Sequence, residues 1–126
     1  PQPWSWRQWA GILVCMLVGW LLVWLLIARP VENPDPSYVW AGMIFPMMDV
    51  GILFAALYRW RTADVSMQKP LLWLSAAMLS YGAANWFNYS VRVTDPGADS
   101  LPALILWLLS TVFTGLAAWQ FWRRAE

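Results

Sequence analysis

Histidine is absent from the 126 residues and cysteine occurs once. Without histidine there is no Ser-His-Asp or Cys-His set and no His-ligated haem, and most zinc sites are excluded. A single cysteine excludes a disulfide scaffold. Charge is equally scarce, at 12% of residues against about 25% in soluble domains, which argues against a water-soluble globule. A net charge of +1 leaves no electrostatic footprint for nucleic acid. Glycine-rich phosphate loops, CxxC pairs and carboxylate clusters are also missing. The chain therefore reads as non-enzymatic, without a cofactor.

What is abundant is apolar surface: 60% of the residues are hydrophobic. Crossing a hydrocarbon core takes roughly 20 such residues in a helix. Four stretches meet that length, at about 9–28, 39–58, 70–91 and 101–122. They are too long for buried strands and lack a period of two, and lipid demands that every backbone group be satisfied internally. The expectation is an all-α, polytopic integral membrane protein: one domain of four antiparallel transmembrane helices. Arg29–Pro36 holds three prolines and stops a helix. Arg59–Pro70 reads as a polar turn with Pro70 at a first helical position. Arg92–Ser100 reads as a loop in which Ser100 caps the fourth helix.

Orientation follows from basic residues. Arg7, Arg59, Arg61, Lys69, Arg123 and Arg124 fall on one side, whereas Arg29 and Arg92 fall on the other beside Glu32, Asp35, Asp95 and Asp99. Both termini are then expected in the cytoplasm. The first apolar run is longer than a signal-peptide core and ends at Arg29-Pro30, so it reads as a retained helix.

Trp4, Trp6, Trp9, Trp40, Trp60, Trp73, Trp119 and Trp122 lie near span ends and read as an interfacial belt. Trp20, Trp24, Trp86 and Trp107 lie deeper. Trp20 and Trp24 share one helical face, suited to packing or to a flat ligand such as a quinone, carotenoid or lipid. Asp49, in the middle of the second span, must face protein or water rather than lipid. It belongs to a stripe of Gly42, Pro46, Leu53 and Ala56, in which Pro46 is expected to kink the helix. The third span offers Tyr81, Asn85, Asn88 and Tyr89, with Gly82 permitting close approach. A hydrogen bond from Asp49 to Asn85 or Tyr81 is expected, with a proton- or cation-binding Asp49 as the functional alternative. Gly11, Cys15 and Gly19 recur every four residues, a spacing for helix contact within the chain or with a partner. Met43, Met47 and Met48 read as packing rather than copper ligands, and the sequon at Asn88 reads as chance.

Phe45-Pro46-Met47-Met48-Asp49-Val50, then Tyr81-Gly82-Ala83-Ala84-Asn85-Trp86-Phe87, then Thr94-Asp95-Pro96-Gly97 resemble the repeated helical units of N-terminal membrane sensor regions in bacterial cyclic-di-GMP signalling proteins and histidine kinases. Phe45 stands where those units have Tyr, and Asn85 where they have Asp. The resemblance implies a sensor-like helical module. The expected location is the bacterial inner membrane. The leading expectation is a small membrane subunit that packs, through the glycine face of the first span and the polar third, against other integral membrane subunits. A sensory input module and a homodimeric proton-coupled exporter are the alternatives.

Overall fold

The computed structural model describes residues 4–30, 44–95 and 97–125. Ser5 opens the first helix, α1 (Trp6–Val23): its hydroxyl accepts from the Gln8 amide, while the Gln8 side chain accepts from the Ser5 amide. This reciprocal box satisfies two amides that a helix start leaves unpaired. α1 runs into a π-helical turn at Trp24–Ala28, in which the Arg29 amide donates to the Trp24 carbonyl. The remaining helices are α2 (Ile44–Thr62), α3 (Val65–Arg92) and α4 (Leu101–Ala125). No strand occurs among the described residues.

Neighbours in sequence are the main neighbours in space: α1 packs on α2, α2 on α3, and α3 most extensively on α4. The α1–α2 pairing runs in opposite senses. Gln8 bonds Tyr58, the Gly11 position faces Phe54, and Gly51 faces Met16. A Cβ at Gly19 would lie 2.9 Å from the Val50 side chain, and one at Gly51 would lie 2.7 Å from that of Met16. Each helix thus lends a glycine to receive a side chain of the other, which brings the backbones close. In α4, Ala103, Ser110 and Ala117 are buried at intervals of seven, as are Ala77 and Ala84 in α3. Small residues on a seven-residue repeat make a tight left-handed seam between two helices.

One expectation about the elements is met in part and one is corrected. Four helices are present, but among the described residues only Trp6–Ile27 and Leu101–Arg124 are long and apolar enough to cross a membrane by themselves. α2 carries Asp49, Arg59 and Arg61, and α3 carries Lys69, Arg92 and several hydroxyl and amide side chains, which lower their apolarity. The polar turn at 59–70 shrinks to Ala63 and Asp64, and α3 starts at Val65. Pro70 is consequently inside α3 and buried, not at its first position; the amide it lacks would have bonded Ser66. Ser100 does cap α4, with its hydroxyl accepting from the Ala103 amide at 3.3 Å. Pro46 is buried at the third position of α2 as described. Its absent amide bond would have reached Gly42, which lies outside the described residues, as do Trp40, Glu32 and Asp35.

Candidate functional site

Asp49 is half-buried where α2 meets α3. A Cβ on Gly82 would stand 3.3 Å from that of Asp49, so the glycine is what lets the α3 backbone come up to the acid. One turn further along α3, Asn85 donates from Nδ2 to Asp49 Oδ2 at 2.6 Å. The other end of the same amide accepts from the Trp107 indole Nε1–H at 3.2 Å. Three helices are tied through one asparagine, whose carbonyl and NH2 are used in opposite directions.

Next to this tie lies a cavity of about 480 Å³, within the usual range for small-molecule sites. Its wall is drawn from Val50 and Leu53 of α2, Met78, Ala83 and Trp86 of α3, and Ile27 of the π turn. Exposed Leu79 and Phe87 form part of its rim. Asp49 is the charged group in this wall. Chemically, the cavity offers an apolar body the Asp49 carboxyl group at which to hydrogen-bond or pair charge; Ser90 also lines it, with its hydroxyl donating to the Phe87 carbonyl. Among the described residues no cluster of three or more metal-ligating side chains occurs.

The structure brings only some of the residues singled out in sequence together. Asp49 and Gly82 line the cavity, and Asn85 orients the acid from behind. Tyr81, the alternative partner for Asp49, is instead 44% exposed, while Gly82 and Asn85 take the positions against the acid. Asn88 is half-buried and does not line the cavity. Trp20 and Trp24 are drawn elsewhere. They pack with Trp86 and Ile27 around buried Val23, Tyr89 and Val93, where α1 meets the end of α3. The Tyr89 hydroxyl in that cluster is buried and has no hydrogen-bond partner among the described residues. Cys15 is a half-buried free thiol. Gly11 and Gly19 face Phe54 and Val50 of α2. The glycine face of α1 is therefore occupied inside the chain and is not open to another protein.

Sequence reasoning misses Gly51 and the role of Trp107. Both are pairwise features: a glycine matters here because Met16 fills its place, and an indole N–H because an amide oxygen lies opposite. Sequence marks Trp86 only as a deep ring, and its place in the cavity wall depends on how α3 rotates against α2.

Comparison with known proteins gives a distant relative. Over 129 aligned residues, 94% of this chain, the sequence is 24% identical to a tetrathionate reductase subunit of Salmonella typhimurium strain LT2. The chain spans 37% of the length of that relative. No family model matches, and no solved structure matches. The chain is thus a helical membrane protein similar to a protein that serves as one subunit of a reductase.

Proposed function

We propose that this chain is a non-catalytic, membrane-embedded helical subunit that packs against and stabilises a larger membrane complex. The carrying observation is the similarity, along nearly the whole chain, to a protein named as a subunit of tetrathionate reductase. The distribution of apolar surface supports it. α4 exposes Leu101, Ile105, Leu108 and Val112 on one face, and α1 exposes Leu13, Leu17 and Leu21, so the two outer helices are solvated by lipid or by other membrane helices. In this arrangement all four helices cross the bilayer, with the polar α2 and α3 sheltered between α1 and α4. With the glycine face of α1 already filled by α2, the outer face of α4 is the contact face we assign to partner subunits. Affinity purification in a mild detergent with mass spectrometry of co-eluting proteins tests the reading. Recovery of a defined set of membrane subunits supports it, and a solitary monomer at every detergent concentration overturns it.

The cavity favours a second reading that is compatible with the first: the subunit holds an apolar ligand with one polar end. Of the ligands that the sequence suggests, a quinol fits best, because its ring matches the apolar wall and its hydroxyl can donate to Asp49. A carotenoid hydrocarbon would leave the acid unused. Extraction of the purified protein with organic solvent, followed by chromatography, tests this. A quinone recovered from the parent protein and lost in Gly82→Leu, which fills the approach to Asp49, supports it. Equal recovery from both would set it aside.

A further inference from the structure

Basic residues gather at one end of the helices: Arg7, Arg59, Arg61, Lys69, Arg123 and Arg124 are all exposed, and Asp64 is the acid placed with them among the described residues. None of the six is in an ion pair among the described residues, whereas at the opposite end Arg92 pairs with Asp99 at 3.6 Å. The corner where α1 begins and α2 ends is the most built part of this surface. The Arg59 guanidinium lies 4.9 Å from the centre of the Trp4 ring. That ring rests 5.6 Å from both Trp9 and Tyr58. Gln8 then clamps the corner by donating to the Tyr58 hydroxyl at 2.7 Å. Stacking on an indole holds the guanidinium fork in place while its N–H groups stay free. Below it, Trp9, Leu13 and Leu17 follow at intervals of four, each more than half exposed.

We propose that this corner binds an anionic phospholipid, with the phosphate at Arg59 and an acyl chain along Trp9, Leu13 and Leu17. A cation held at the depth of interfacial rings, directly above an apolar stripe, has the shape and charge order of such a lipid. The excess of unpaired cations favours an anionic headgroup over a zwitterionic one. Continuity with the stripe favours a lipid over a free phosphate. This assignment is independent of the ligand cavity and of any partner protein.

The test uses the full chain, purified in neutral detergent and titrated with dioleoyl phosphatidylglycerol, dioleoyl phosphatidylcholine or inorganic phosphate, with bound molecules counted by native mass spectrometry. Phosphatidylglycerol is expected to be retained in preference to phosphatidylcholine. That preference should fall about five-fold in Arg59→Gln, the effect of one cation near an anionic headgroup, and stay near the parent value in Arg29→Gln at the opposite end. Arg59→Lys, which keeps charge but loses the fork, should fall between them. Circular dichroism confirms that each variant remains helical. Equal retention of the two lipids, or an undiminished preference in Arg59→Gln, overturns the proposal. So does retention of inorganic phosphate on a par with phosphatidylglycerol. If Arg59→Gln releases a co-purified acidic protein and leaves lipid retention unchanged, the corner is a protein interface and the assignment falls.

Discussion

Asn85 is the residue through which most of the interior polarity passes, since it serves Asp49 with its NH2 and Trp107 with its oxygen. Interhelical hydrogen bonds in membranes contribute about 0.6–2 kcal/mol each. Asn85→Leu, which removes both and strands a carboxyl group, is expected to cost about 2–4 kcal/mol, measured by unfolding in mixed micelles. Asp49→Asn retains an oxygen that accepts from Asn85 and should cost less than about 1 kcal/mol. A reversed ranking would mean that the acid, not the amide, organises the helices. Tyr89 makes the complementary case. Its hydroxyl is buried without a partner among the described residues, so Tyr89→Phe is expected to leave stability unchanged or raise it by about 1 kcal/mol. The glycines divide by what faces them. Gly19→Ala drives a methyl to 2.9 Å from the stiff Val50 side chain and should cost about 1–3 kcal/mol. Gly115 has nothing within 4 Å of an added Cβ, so Gly115→Ala should be neutral or stabilise by up to about 1 kcal/mol.

At the scale of elements, the beginning of α1 shows how a local motif acquires a tertiary role. Gln8 Oε1 accepts from the Ser5 amide at 2.6 Å, while its Nε2 donates to Tyr58 of α2. The Ser5 half of the box is longer, at 3.4 Å. Gln8→Ala therefore removes a cap and an interhelical bond together, and is expected to destabilise by about 1–2 kcal/mol. Ser5→Ala should cost about 1 kcal/mol or less. Thermal melts followed by ellipticity distinguish the two, and equal effects would show that the tie to Tyr58 contributes nothing. α3 makes the opposite point. Its 28 residues extend about 42 Å, further than the roughly 30 Å hydrocarbon core. A sequence reading that looks for apolar residues sees only the part from Pro70 onward. The first turn, Val65–Lys69, is polar and reads as a loop, because backbone helicity continues beyond the point where hydropathy ends.

For the whole molecule, the decisive feature is a sequential stack in which each helix leans on the next. The apolar α1 and α4 come first and last in this order, and each reaches the inner pair by one side-chain hydrogen bond, Gln8 to Tyr58 and Trp107 to Asn85. One expected outcome concerns sidedness. In a Cys15→Ala background reconstituted in sealed vesicles, Arg61→Cys and Arg124→Cys should label from the same side with a membrane-impermeant maleimide, and Asp99→Cys from the other. Labelling of Arg61→Cys and Arg124→Cys from opposite sides would exclude an even number of crossings between them. The outer face of α4, with Leu101, Ile105, Leu108 and Val112 exposed, is too broad and apolar to face water.

Hydropathy and its punctuation were enough to establish that the chain is helical, where α1 and α4 run, and that the basic residues segregate. These properties are carried by composition and by the 3.6-residue repeat, which act locally. The pairing of Asp49 with the third helix was also legible, because an acid in the middle of an apolar run must find a polar partner and few were offered. Choosing Asn85 over Tyr81 was not, since residues one turn apart share a helical face and are distinguished mainly by how far that helix is shifted along its neighbour. The same holds for Gly51 against Met16, for Trp107 behind Asn85, and for the diversion of Trp20 and Trp24 into the Tyr89 cluster. Helical order follows from the chain alone, whereas a cavity or a three-helix hydrogen bond depends on rotation, depth and crossing of helices, which only their mutual packing decides.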